Sequence, residues 1–385
     1  MRLVIVGFTV VCSIFAAVFS SPSVIAQTCA TPVQLQSSLS AALQSDVISL
    51  SGVNPLNCTA IPMTETWTGG KLILSDSPES PTTRGKLYED SKLGATSGAI
   101  YNRIFVYHAN GNSTNKLKFA VLVKNLGSAT GTLTVQQKGT AGPTTSYAYG
   151  GKMAFYRWLT SAASAGVSVP AGSTVRLDTT FDSTQAASTY LMHGIWDYSF
   201  TQPHQVTICA LDPADDPITV GPTLPLLARS VHKRGTFPNA DKIYNSAVGN
   251  TINTSNGIQQ FSIAQQTSTD TYAAGVDATD GSAMTNLGNY GVLYRIHLNA
   301  ASGDGRNLGF LLNPRAGSWG GAVSALAGIT PGGSFLIPAS TTLLGDNTKG
   351  AVEAKYSPGA GITPWLQLMP TGGSSLPLRL VAVPY

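Results

Sequence analysis

Two histidines close apolar runs in the same local setting, Tyr107-His108-Ala109-Asn110 and Ile296-His297-Leu298-Asn299. Imidazoles placed this way could serve as equivalent ligand or acid–base sites. The simpler expectation is that each donates a hydrogen bond to a neighbouring loop and fixes a turn. His193, in Leu191-Met192-His193-Gly194, and His204, in Gln202-Pro203-His204-Gln205, lack the spacing of a zinc or copper site. No metal and no other cofactor is therefore expected.

Catalytic patterns are equally missing from the sequence. It has no Gly-x-Ser-x-Gly elbow, no His-Glu-x-x-His and no Gly-rich phosphate loop. The 19 acidic residues are scattered, so paired carboxylates for glycoside hydrolysis find no support. No catalytic residue is assigned, and no enzyme is expected. A secreted hydrolase, the remaining alternative of that class, would need His108 or His193 within reach of a carboxylate and a nucleophile in a cleft.

Aromatic side chains offer binding chemistry instead. Trp319, flanked by glycines in Gly317-Ser318-Trp319-Gly320-Gly321, suits an exposed contact. Tyr147, Tyr149, Tyr156 and Trp158, with Phe155, could form a face that stacks on sugars or binds protein. At helical spacing, Phe155, Trp158 and Leu159 would more simply cover a core, which is the favoured role. Asp277-Ala278-Thr279-Asp280-Gly281 spaces oxygen ligands before a glycine as calcium loops do, but matches few of their positions and is expected to be a solvated turn.

The elements that must carry these residues are mostly strands. Runs rich in Val, Ile, Leu, Tyr and Thr alternate with Gly, Asn, Ser and Asp clusters from Lys71 onward, a spacing that predicts antiparallel sandwiches. Tyr147 to Ala163 breaks the pattern with helix formers and no proline, and predicts one short helix crossing the open end of a first sandwich. Val33 to Leu50 predicts a short helix followed by a strand. Leu211 to Arg229, with four prolines and an acidic run, predicts a domain boundary.

Several motifs recur in the same order in both halves. Arg84-Gly85 is echoed by Arg234-Gly235, Tyr107-His108 by Ile296-His297, and Leu117-Lys118-Phe119 by Leu308-Gly309-Phe310. Val169-Pro170 is echoed by Ile337-Pro338, and Val206 to Leu211 by Leu378 to Val383. The spacings differ, so each copy must carry insertions, among them the polar stretch from about Thr251 to Gly288. The expected fold is all-β, with two tandem antiparallel β-sandwich modules related by internal duplication and a short helix in the first. The expected divisions are a signal peptide at 1–26, an N-terminal extension at 27–70, a first module at 71–211, a proline-rich linker at 212–233 and a second module at 234–385.

Arg2, the apolar stretch from Leu3 to Phe19, and Val24-Ile25-Ala26 read as a cleaved signal peptide. The apolar run is shorter than the roughly 20 residues a spanning helix needs, and no transmembrane segment is expected in the mature chain. Three cysteines follow the leader. Cys29 with Cys58 is the natural disulfide in an oxidising compartment, contributing about 3 kcal/mol by loop closure; a Cys58–Cys209 pair is the alternative to a buried free Cys209.

Only 11% of residues are charged while 43% are hydrophobic, and the formal net charge is +4. The chain should fold, with a surface of hydroxyls, amides and glycine. Its basic residues are too dispersed for a nucleic-acid partner. These features predict an exported, non-catalytic binding or structural protein of the periplasm, cell surface or extracellular space, acting in adhesion, matrix or envelope assembly. A carbohydrate-binding module pair is the alternative. Expected partners are a polysaccharide, another surface protein, or a second copy joined through sheet edges, with Leu376 to Val383 the strand to watch.

Overall fold

Glycine- and asparagine-rich breaks separate β-branched and aromatic runs along most of the chain, and these runs form an all-β sandwich fold in which most neighbouring strands are antiparallel. The structure is a computed structural model that describes residues 29–97, 100–246, 251–326, 333–357 and 365–385; the expected signal peptide lies outside them.

The N-terminal segment forms helix α1 (Val33–Ala41) and strands β1 (Val47–Ser49), β2 (Thr59–Ala60) and β3 (Met63–Thr68). The first half continues through β4 (Leu72–Ser75), β5 (Gly85–Leu93), β6 (Asn102–Ala109), β7 (Leu117–Asn125), β8 (Gly131–Thr144), α2 (Tyr147–Thr160), β9 (Val167–Val169) and β10 (Thr174–Arg176). It closes with α3 (Thr179–Ser183), β11 (Gln185–Ala186), β12 (Leu191–Phe200), β13 (His204–Leu211) and α4 (Pro217–Val220). The second half begins with β14 (Arg234–Phe237), β15 (Asp241–Ser246), β16 (Ile252–Asn253), β17 (Gln259–Ile263), β18 (Ala274–Val276), β19 (Ala283–Thr285) and β20 (Leu293–His297). After these come β21 (Ala300–Ala301), β22 (Leu308–Pro314), β23 (Gly321–Leu326), β24 (Gly333–Ile337), β25 (Lys349–Tyr356), β26 (Trp365–Leu368) and β27 (Leu378–Pro384).

Four large sheets result. Sheet I runs β5–β13–β7–β10, and sheet II runs β19–β18–β14–β4–β6–β12–β8–β9. Sheet III runs β3–β15–β20–β26–β23–β24, and sheet IV runs β2–β17–β27–β22–β25–β1. The strand order of sheet I matches the β17–β27–β22–β25 portion of sheet IV, and β4–β6–β12–β8–β9 of sheet II matches β15–β20–β26–β23–β24 of sheet III. Polarity matches as well: β4 with β6 and β15 with β20 are the parallel pairs at corresponding places.

Four of the recurring motif pairs fall on corresponding strands: the ends of β6 and β20, the starts of β7 and β22, the ends of β9 and β24, and the bodies of β13 and β27. The fifth does not. Gly85 opens β5, whose counterpart is β17, whereas Arg234 opens β14, whose counterpart is β3. Gln259–Ile263, inside the polar stretch taken as an insertion, is a core strand at the place that β5 holds in sheet I; the segment bearing β18 and β19 has no counterpart strands among the described residues of the first half.

Strands β3 and β14 change places between the halves. β3 directly precedes β4 in the chain, yet it pairs with β15; β14 directly precedes β15, yet it pairs with β4. The expected boundaries at residues 71 and 234 thus cut through continuous sheets. The N-terminal extension belongs to sheets III and IV, and the start of the expected second module belongs to sheet II. Short strands bind any free edge of matching polarity through backbone groups, so connectivity alone does not choose their partner.

Sheet II is covered on both faces, which explains the unbroken burial of β6. Ile104 and Val106 point into the sandwich with sheet I, while Phe105 and Tyr107 point into the core shared with the second half. Helix α2 lies at that junction. It packs on β8 and β12 and also on β23 and β24, rather than closing one end of the first sandwich as expected. Its Lys152 is fully buried, and Nζ donates to the carbonyls of Pro338 and Thr342 in the second half. Arg103 makes a second cross-link: it forms a bidentate pair with Asp197 at 2.7 and 2.8 Å and meets Asp241 of β15 at 3.0 Å. On the far side, α1 covers sheet IV with Leu35 and Leu39 beside the Cys29–Cys58 disulfide. Cys209 is a free buried thiol, its pKa pushed up to about 12 by burial.

Candidate functional site

Strand β4 ends at Ser75 and runs on into the loop Asp76-Ser77-Pro78-Glu79, and the segment leading into β14 carries Ser230, His232 and Lys233. These two stretches run side by side because β14 pairs with β4. The Asp76 amide donates to the Lys233 carbonyl (3.1 Å), and the Ser230 amide donates to Ser77 Oγ (2.9 Å). The Ala109 amide donates to the Glu79 carbonyl (2.8 Å), fastening the other end of the loop to β6. The result is a tight acidic loop with a histidine laid across it.

His232 Nε2 lies 2.6 Å from Glu79 Oε2, and Nδ1 lies 3.6 Å from Asp76 Oδ2. The Asp76 carboxylate facing the ring raises the imidazole pKa above its ordinary value. Burial lifts the Asp76 carboxyl to about 6, against the stabilising effect of the same histidine. The three side chains offer ligand atoms that all lie within 4.8 Å of one another, the arrangement that could hold a metal ion.

These residues form one wall of a cavity of about 290 Å³ between the halves. Phe105, Tyr107, Tyr147 and Tyr290 supply its aromatic surface, and the chain from Gly372 to Ser375 supplies its backbone surface. Tyr290 is fixed by donating to the Ser374 carbonyl (3.0 Å), and Tyr147 by donating to the Thr189 carbonyl (3.0 Å). Gly373 has φ +72° and sits so close to Tyr107 that a Cβ there would fall 2.6 Å from the phenol oxygen. The Tyr107 hydroxyl and Asp76 Oδ1 are both buried without a hydrogen-bond partner.

Of the residues singled out in the sequence, Tyr147 lines this cavity and His108 supports it. His108 is fully buried: Nε2 meets Ser75 Oγ at 2.9 Å and Nδ1 meets the Pro78 carbonyl at 2.8 Å. It braces the acidic loop, the turn-fixing role anticipated for it, and burial lowers its pKa to about 4. His297, at the corresponding strand end, is half-buried and stacks on Trp365 with centroids 4.2 Å apart. His193 is buried against Phe105 and Tyr107, with Nδ1 at 2.6 Å from the Val106 carbonyl, and His204 meets the Tyr198 hydroxyl at 2.9 Å.

The aromatic candidates do not form one surface. Trp319, expected to be exposed, is 0% exposed. A Cβ on Gly321 would fall 2.6 Å from its indole, so the flanking glycine makes room for the ring to fold inward. Trp158 is also buried, lying 5.8 Å from Phe155 and 4.9 Å below the Arg103 guanidinium. Tyr149 and Tyr156 are half-buried on α2. Asp277, placed in a solvated turn, is instead buried and accepts from Arg234 Nε at 3.0 Å, with Arg229 at 3.4 Å.

Asp76, Glu79 and His232 escaped sequence inspection. The Asp-x-x-Glu spacing after a strand was the one local signal, and His232 lies far away in a segment expected to be a linker. No protein-family model matches the chain, and no curated protein sequence matches it. Among solved structures, one titled "Crystal structure of PBSX exported protein XepA" aligns with 10% identity over 88% of this chain and 89% of that one, with a TM-score of 0.14.

Proposed function

We propose that this is an exported, non-catalytic binding or structural protein that works at the cell surface or outside the cell. The disulfide between Cys29 and Cys58, directly after a signal-like leader, carries this proposal, because such a bond persists in oxidising compartments. The interlocked sheets support it: exchanged strands and a helix wedged between the halves suit a rigid scaffold that holds surfaces in fixed relation. His108 has a serine hydroxyl and a carbonyl as neighbours in a fully buried setting, not the carboxylate and open cleft that a hydrolase reading called for. Burial of Trp319 and Trp158 leaves the half-buried Tyr147, Tyr149 and Tyr156 as the rings that could serve the carbohydrate-binding alternative.

Expression of the full chain in a secretion-competent host, followed by light scattering on the exported protein with and without a panel of polysaccharides, tests the proposal. Export with an intact disulfide, and a discrete assembly or a glycan-dependent shift, is the expected result. Retention in the cytoplasm with reduced cysteines would overturn it.

A further inference from the structure

We propose that Asp76, Glu79 and His232 bind a divalent transition-metal cation of the zinc or manganese class at the mouth of the tyrosine-lined cavity. One imidazole and two carboxylates, each able to present a ligand atom within 4.8 Å of the others, make a mixed nitrogen and oxygen donor set suited to such ions. The ligands come from two segments locked together by backbone bonds, so little ordering remains to be done on binding.

A second observation points to a ligand independently of the acidic cluster. Tyr107 is 4% exposed, its hydroxyl has no hydrogen-bond partner, and it lines the same cavity. The Glu79 and Asp76 side chains line the same cavity and their charges act on that hydroxyl. Asp76 Oδ1, on the same cavity lining, is likewise buried without a partner. Buried polar atoms left without partners are costly, and a bound cation with its water ligands would give both a partner. The cavity lining contains no lysine or arginine, so the two carboxylates face His232 as their neighbouring base, with Lys233 next to it in the chain.

In the metal-free arrangement the imidazole bridges the two carboxylates, one ring nitrogen toward each. On binding, Nε2 gives up its proton to solvent and becomes a ligand alongside Glu79. Asp76 then either ligates or holds the Nδ1–H as an outer partner that fixes the tautomer. Tyr107 and Tyr290 line the cavity that the bound ion would adjoin.

The test is calorimetric titration of tag-free, EDTA-dialysed full-length protein with zinc chloride and, separately, manganese chloride. One saturable equivalent is expected, with at least tenfold weaker binding in His232→Ala and Glu79→Gln and unchanged binding in Asp280→Asn. His232 has a side chain 42% exposed, so its truncation should leave the chain folded in EDTA and keep the test valid even if Glu79→Gln folds poorly. No saturable uptake of either ion, or uptake that His232→Ala leaves intact, would overturn the proposal. In that case the three side chains form an ion pair that fastens the loop and nothing more.

Discussion

In the first half, β6 ends in an imidazole with both nitrogens occupied and no solvent contact; in the second, β20 ends in an imidazole lying flat on Trp365 at the surface. The strand positions correspond, yet the surroundings differ. The Ser75–Glu79 loop folds back over His108, held in turn by the segment before β14. The β8–β9 connection differs in the same way. It contains α2, which packs on both halves, whereas β23 and β24 are joined by the short stretch 327–332. Corresponding strands supply a common frame, and the halves differ most where loops of one meet the other.

Cutting the buried ion cluster should have the largest effect on that relation. Arg103→Ala leaves the buried Asp197 of the first half without its guanidinium and takes one of two from Asp241 of the second, which keeps Arg295 at 2.8 Å, a loss of about 3–5 kcal/mol for the uncompensated buried charge of Asp197. Urea denaturation should show a single weakened transition for the whole chain. Two separated transitions, with the second half unaffected, would break the view that the halves fold as one unit.

Replacing Cys29 and Cys58 by serine should cost about 3 kcal/mol, from the released 29-residue loop. The damage should concentrate in sheet IV, where the stapled segment packs. Amide exchange is expected to rise in β17 and β27 and to stay unchanged in β5 and β13, their counterparts. Equal loss in both sheets would argue that the staple acts on the whole molecule.

The halves should also respond oppositely to pH. Glu353 in β25 is buried, both oxygens lack partners, and burial raises its carboxyl to about 8. A folded pKa above the unfolded value means that its contribution is fully present below the unfolded value and is lost as pH rises through about 8. Glu353→Gln should therefore gain about 1–3 kcal/mol at pH 8 and little at pH 5, measured by thermal melts. In the first half, burial lowers His108, His193 and His204 to about 4. Their folded values lie below the unfolded one, so this stability is present above the ordinary histidine pKa and is lost as pH falls through about 4. Acid should therefore loosen sheets I and II first, which amide exchange at pH 4.5 would show.

The smallest contrast is between the two strand-end histidines themselves. His108→Ala strips partners from Ser75 and the Pro78 carbonyl and should cost about 1–3 kcal/mol, whereas His297→Ala should cost less than about 1 kcal/mol. Equal costs would show that the loop over His108 contributes nothing beyond packing.

Much of the frame was legible in residue order. The apolar strand runs of β13 and β27, the helix at Tyr147–Thr160 and the Cys29–Cys58 spacing all express local preferences that a short window contains. Trp319 misled because its glycine neighbours permit two outcomes, an exposed loop or a tightly tucked ring, and only the packing partner separates them. The acidic loop was half visible, as Asp76 and Glu79 three residues apart, but its histidine arrives from the far side of an exchanged strand.

By itself the sequence determined that the chain would form short strands, where one helix would interrupt them and that Cys29–Cys58 was the favoured cysteine pairing. Tertiary structure alone decided which sheet received β3 and β14, that α2 would lie between the halves, and that Asp76, Glu79 and His232 would share one cavity wall. The physical reason is that side-chain patterns encode backbone conformation and burial over a few residues. Strand edges, in contrast, present the same row of N–H and C=O groups whatever their sequence, so the choice of partner falls to the packing of the whole molecule.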